Sequence, residues 1–261
     1  MPKIAVTGKG GVGKTTLTAL LAHVYAERGR TVLAIDADPA ASLSYALGYS
    51  PEAADAIVPI AEMDELIFER TGAKPGTSGG FFSLSPRVDD IPDRFSAELD
   101  GIRLLRLGTI KQGGSGCICP ESSLLRNLVA HLMVARDEVV IMDMEAGIEH
   151  LGRGTAQAVD AFLIVVEPSR RSLATAAQIQ RLAGEVGIKR CYLVGNKVRE
   201  NDRAFIEANR GDLPIAGYLP VDEQVDEADR AGISVYSGAV GLRKSAQAIA
   251  DFIDQESENS A

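Results

Sequence analysis

The chain has 261 residues, 46% hydrophobic and 24% charged, enough to bury a sizeable core. A net charge of −9 argues against general nucleic-acid binding, which needs clustered Lys and Arg to neutralise phosphates. No apolar run reaches the roughly 18 residues of a membrane span, and the first residues lack the charged-then-apolar order of a signal peptide. These features lead us to expect a soluble, cytoplasmic protein with neither nucleic acid nor membrane as partner.

In chain order, short apolar runs alternate with segments of helical period. The spacing predicts strands at 3–6, 31–35, 102–107, 138–143, 161–166, 191–195 and 215–219, and helices at 14–28, 122–136, 170–186, 200–209, 223–231 and 241–254. The strands are nearly continuous apolar runs, as expected where a parallel sheet is covered on both faces. This predicts an α/β fold of three layers, a mostly parallel central sheet flanked by helices, as a single domain over residues 1–261. Residues 50–101 break the rhythm with a possible helix in "IAEMDELIFERTG" and then a Gly-, Pro- and Ser-rich stretch. It reads equally as a surface insertion or as a lid or partner-contact segment. The acidic end, about 255–261, is expected to be a disordered tail.

Chemistry concentrates first in "VTGKGGVGKTT", where Gly8, Gly13, Lys14 and Thr15 stand in the GxxxxGK[ST] arrangement between a predicted strand and a predicted helix. In such a loop, backbone N–H groups converge on phosphate oxygens at the positive end of a helix. Residues Gly8, Lys9, Gly10, Gly11, Val12, Gly13, Lys14, Thr15 and Thr16 are therefore the nucleotide-binding candidates. Lys14 is placed on the β- and γ-phosphates and the Thr15 hydroxyl on Mg²⁺.

A phosphate loop needs one lysine, and Lys9 is a second. With it, "KGGVGKTT" resembles the deviant Walker A loop of the MinD/ParA/nitrogenase iron-protein superfamily, and the resemblance extends over nearly the whole chain. It implies a MinD-like P-loop NTPase fold and a Mg²⁺-dependent ATPase in which Lys9 reaches the nucleotide of a second subunit. "IDADPAAS" resembles switch I, which implies that Asp38 positions the attacking water and that Asp36 lies near Mg²⁺. "VVIMDMEAGIEH" resembles the Walker B strand and switch II, with Asp143 as a Mg²⁺-associated carboxylate. "VGNKV" places Asn196, and "YLPVD" places Pro220, beside adenine. Several of these carboxylates fall at the ends of successive strands, where open α/β sheets bind ligands.

The chain has three cysteines, too few for a disulfide framework, which points to free thiols or a metal. Cys117 and Cys119 lie two apart in "QGGSGCICPESS", so in extended chain both face one side and can ligate one metal. The flanking glycines and Pro120 suggest exposed chain. Two thiolates fall short of the four ligands Zn²⁺ prefers; a two-fold axis, with each subunit contributing a pair, makes up the number. Cys191 begins a predicted strand and reads as a core residue. His23 and His131 lie in predicted helices, and His150 is a weak alternative ligand.

The CxC pair ahead of the helix leading to Walker B, with "DMEAGIEHLGRGT" downstream, is similar to the CooC-type ATPases of carbon monoxide dehydrogenase maturation. That resemblance implies an ATP-dependent homodimer that binds Ni²⁺ or Zn²⁺ through Cys117 and Cys119 and serves carbon monoxide dehydrogenase as client. Two other readings share the nucleotide residues. A partitioning or positioning ATPase predicts a basic patch or amphipathic tail. An iron–sulfur reductase like the nitrogenase iron protein predicts a cysteine near Asp143; the sequence has none.

Overall fold

The computed structural model describes residues 1–76, 81–108, 119–148 and 151–259. The first part of the chain contains β1 (Lys3–Gly8), α1 (Lys14–Glu27), β2 (Val32–Ala37), α2 (Leu43–Leu47), α3 (Pro51–Asp55), α4 (Asp64–Thr71), α5 (Ile91–Phe95), β3 (Ala97–Leu99) and β4 (Ile102–Arg106). The middle contains α6 (Pro120–Val134), β5 (Val139–Met144), α7 (Arg153–Ala156), β6 (Ala161–Val166) and α8 (Arg170–Val186). The last part contains β7 (Cys191–Val198), α9 (Asp202–Asn209), β8 (Ile215–Pro220), α10 (Gln224–Ala231), α11 (Val235–Gly238) and α12 (Val240–Glu258).

Among the described residues the strands form one sheet in the order β3-β4-β2-β5-β1-β6-β7-β8. Every pairing is parallel except β3 on β4. Each residue of β1, β2, β5 and β6 is buried, as continuous apolar runs in a doubly covered sheet require. Alternate residues feed two core layers. Ile4, Val6, Ile141 and Leu163 face α1 and α12; Ala5, Met142, Phe162 and Ile164 face α6 and α8. Helix α1 is buried over most of its surface, from Leu17 through Tyr25, because it lies between the sheet and α12. The predicted three-layer α/β architecture is the observed one.

The differences are short elements and ends. "IAEMDELIFERTG" is a 3-10 turn at Ile60–Glu62 followed by α4, because Met63 leaves helical geometry at ψ 76°. Ile60 and Ile67 are fully buried against the core on the α6 side. Beyond α4, the Ser83 and Leu84 carbonyls accept hydrogen bonds from Ser123 and Asn127 of α6 at 3.1 and 2.9 Å. The C-terminal helix runs to Glu258, four residues past its expected end and into the segment expected to be disordered. Tyr192 explains this: its hydroxyl donates to Glu256 at 2.7 Å and its ring meets Phe252 edge-on at 5.0 Å.

Candidate nucleotide-binding site

The loop between β1 and α1 turns on glycines with positive φ, namely Gly8 (148°), Gly11 (80°) and Gly13 (94°). At two of them space is also lacking. A Cβ on Gly8 would stand 2.5 Å from the Val165 carbonyl oxygen, and one on Gly13 would stand 2.1 Å from Nδ2 of Asn196. The loop leads directly into the N-terminus of α1, where unpaired N–H groups and the helix dipole favour an anion. A cavity of about 380 Å³ opens over it, lined by Gly10, Gly11, Gly13, Lys14, Thr15, Asp38, Ser42 and Glu145, among others. Lys9 is exposed. Lys14 is buried, and its Nζ lies 3.4 Å from Asp38 Oδ2, so the two charges compensate each other within the site.

Asp36 and Asp143 are directly opposite each other in the β2–β5 register, at the carboxyl ends of neighbouring strands. Thr15 Oγ1 donates to Asp143 Oδ2 at 2.6 Å. Asp143 Oδ1 is buried and has no hydrogen-bond partner. Burial lifts the Asp143 carboxyl to about 7, with the Asp36 charge adding to the rise and the Thr15 hydrogen bond opposing it. A buried carboxylate oxygen left open beside a hydroxyl is the donor set that a hard, oxygen-seeking cation completes, so these residues fit Mg²⁺. Asp36, opposite Asp143, is held by backbone groups. Its oxygens accept from the backbone N–H groups of Asp38 and Leu43, at 3.3 and 3.2 Å, which shapes the loop carrying Asp38. Burial raises Asp36 to about 6 despite those bonds.

Asn196 is tied to the phosphate loop. It is buried beneath the phosphate loop, where its Nδ2 donates to the Val12 carbonyl at 2.7 Å and its Oδ1 accepts from Lys197 N–H at 2.9 Å. Pro220 is exposed at the end of β8. Thr16 lines an adjoining cleft of about 250 Å³, with Tyr45, Val225, Asp226 and Ile233 around it.

Three further participants lie in these stretches without being singled out by them. Ser42 Oγ lies 3.3 Å from Thr15 Oγ1, and Thr7 donates its hydroxyl to the Glu145 carbonyl at 2.7 Å, anchoring the turn after β5. Lys197 Nζ donates to the Gly11 carbonyl at 3.0 Å. Each stands inside a quoted stretch, Ser42 in "IDADPAAS", Thr7 in "VTGKGGVGKTT" and Lys197 in "VGNKV", but their partners are remote in sequence and no residue pattern reveals them.

Of the two thiols, Cys117 lies outside the described residues, as does His150. Cys119 is 8% exposed, more buried than its glycine-rich flank suggests. It stands at the N-cap of α6, ahead of Pro120 in the first turn, and its Sγ donates to Ser122 Oγ at 3.4 Å. Cys191 is buried at the start of β7, and burial pushes its thiol up to about 11, as expected of a core residue. His23 is buried and stacked on Tyr236 with centroids 5.1 Å apart; His131 is half-buried in α6. Among the described residues, no three of His, Cys, Asp and Glu are grouped to hold a metal ion.

Residues 3–235 match the family described as the CobQ/CobB/MinD/ParA nucleotide binding domain. The chain is 48% identical over 248 residues to the carbon monoxide dehydrogenase accessory protein CooC of Rhodospirillum rubrum, covering 95% of this chain and 94% of that one. Its fold is that of the MinC:MinD cell division complex of Aquifex aeolicus, with a TM-score of 0.69 at 20% identity over 98% of this chain and 96% of that one. The septum site-determining protein MinD from Pyrococcus horikoshii, complexed with Mg-ADP, superposes with a TM-score of 0.66 at 19% identity, covering 100% of this chain and 98% of that chain.

Proposed function

The chain belongs to the CobQ/CobB/MinD/ParA nucleotide-binding family as a CooC-type accessory ATPase, and from that premise we propose that it hydrolyses ATP as a homodimer to help insert nickel into the active-site cluster of a carbon monoxide dehydrogenase. The likeness to CooC along nearly the full length of both chains carries this reading. It is supported by the cavity over the phosphate loop, whose lining includes Lys14, Thr15 and Asp38.

Phosphoryl transfer asks for positioning and charge rather than covalent chemistry. The loop amides and Lys14 bind the phosphates. When nucleotide arrives, Lys14 exchanges its partner Asp38 for phosphate oxygens, and Asp38 is freed to orient the attacking water. Lys9, exposed at the loop's rim, reaches the nucleotide of the second subunit. Thr15 and Asp143 would hold Mg²⁺, with Asp36 behind them, and the ion would supply charge neutralisation at the β- and γ-phosphates. In this reading adenine sits beside Asn196 and Pro220, at the carboxyl ends of β7 and β8.

The metal cargo, Ni²⁺ or Zn²⁺, is held by Cys117 and Cys119 of both subunits, four thiolates about the two-fold axis. Metal and nucleotide then share one interface, so each affects the affinity for the other. Anaerobic titration of nucleotide-free protein with Ni²⁺ or Zn²⁺ is expected to saturate near one ion per two chains. Replacing both cysteines, Cys117→Ser with Cys119→Ser, is expected to abolish that site while ATP binding persists. A tight site of one ion per chain that survives the double replacement would remove the shared-thiolate arrangement.

A further inference from the structure

The end of β7 does something the nucleotide motifs do not account for. Every other residue of that strand is buried, yet Lys197 is exposed, and its φ of 56° is left-handed, a conformation L side chains seldom adopt. The β7–β8 register shifts between Gly195 and Val198, at the same point. A strained residue inside a strand is kept where the surroundings demand it. Here the turn sends the Lys197 side chain away from the sheet and back over the phosphate loop.

Its Nζ makes two contacts there, with the Gly11 carbonyl at 3.0 Å and with Glu167 Oε1 at 2.6 Å. Glu167 follows β6 directly and is itself anchored, because its N–H donates to Ser172 Oγ in α8 at 3.1 Å. Next to this, Asn196 holds the Val12 carbonyl. Two successive carbonyls of the phosphate loop are thus gripped from one side. In a trans peptide unit the C=O and N–H point in opposite directions. Holding the carbonyls of Gly11 and Val12 therefore turns the N–H groups of Val12 and Gly13 to the other side of the loop. The Val12 N–H has only a 3.4 Å contact with the Lys9 carbonyl. Glycine at 11 gives that peptide little stiffness of its own, so its orientation depends on what grips it.

We propose that Lys197 is a positioning residue of the phosphate loop: through the Gly11 carbonyl it pre-orients the loop's amides for a di- or triphosphate, and Glu167 holds its ammonium in place. This rests on the ATPase reading of the site and adds to it a residue outside the GxxxxGK[ST] loop. Pre-orientation acts by removing the cost of ordering donors when the ligand arrives. Its signature is a loss confined to ligands that engage the loop.

The test is calorimetric binding of Mg-ADP and of AMP, which lacks the β-phosphate, to wild type and to Lys197→Met, Lys197→Gly, Lys197→Arg and Glu167→Gln. A charge-assisted hydrogen bond of this kind predicts that Lys197→Met weakens ADP binding about tenfold or more. AMP affinity and the thermal midpoint of the nucleotide-free protein are expected to stay as in wild type. Lys197→Gly, which relieves the left-handed backbone but lacks the ammonium, is expected to behave like Lys197→Met. Lys197→Arg is expected to recover most of the affinity, and Glu167→Gln to lose part of it. Unchanged ADP affinity in Lys197→Met, equal losses for ADP and AMP, or a loss accompanied by a collapse of the nucleotide-free midpoint would each overturn the proposal. Failure of the wild type to bind ADP would instead overturn the ATPase reading.

Discussion

Asp143 holds a proton more tightly in the folded chain than in the unfolded one. Its carboxyl is raised from 3.8 to about 7 and that of Asp36 from 3.8 to about 6, in both cases chiefly by burial. The folded state therefore binds more protons than the unfolded state in the window between those values, so these two groups make stability fall as pH rises through it. Without divalent cation and nucleotide, wild type is expected to lose more urea resistance than Asp143→Asn between about pH 5 and about pH 8. Equal losses in the two proteins would refute this assignment. The aspartates themselves are legible in the sequence, because they end apolar runs at sites where the fold needs carboxylates. The tasks of Asp36 and Asn196 are not. Both side chains bind backbone groups of loops whose course depends on residues far along the chain, Leu43 in one case and Val12 in the other.

At the scale of elements, legibility follows length and burial. Strands that are buried throughout and helices such as α8 carry a periodic pattern and are read within a residue or two. Helices α2, α3, α5, α7 and α11 have only four or five residues, too few for a period to show. Strand β3 has three residues, none of them buried, and exists because β4 offers it a free edge. Helix α12 illustrates how an element is held. Its Ile249 is fully buried in the core on the α1 side and lies against Gly217 of β8, where a Cβ would come within 2.5 Å. Ile249→Ala leaves a cavity in a contact that has no side chain on the strand side to relax into it. It is expected to destabilise the protein by about 2–5 kcal/mol, measured by urea unfolding. A change under about 0.5 kcal/mol, the size of an ordinary surface substitution, would show that this helix contributes little to the cooperative core.

For the whole molecule, one face of the sheet's carboxyl ends gathers the phosphate loop, the β2–α2 turn with Asp38, and the turn after β5 with Glu145. The parallel order of β2, β5, β1 and β6 brings this about, since it puts all of those strand ends on one side. Lys14 lines the cavity, whereas Lys9 is exposed and does not. If Lys9 serves a second subunit, Lys9→Ala is expected to lower ATP turnover about a hundredfold or more, as loss of a charge supplied in trans does. ADP affinity is expected to change by less than about threefold. Equal losses in turnover and affinity would place Lys9 in its own subunit's loop instead.

The reversed strand β3 has a consequence for how the protein behaves at high concentration. An open parallel sheet ends in a row of unsatisfied N–H and C=O groups that can template the addition of another chain. Here that border is occupied by three residues running the opposite way, with exposed Glu98 in the middle. A short, charged margin gives an incoming strand little length to pair with and a carboxylate to desolvate. That border therefore works as a selvedge, which disfavours extension of the sheet on the β4 side in a crowded solution.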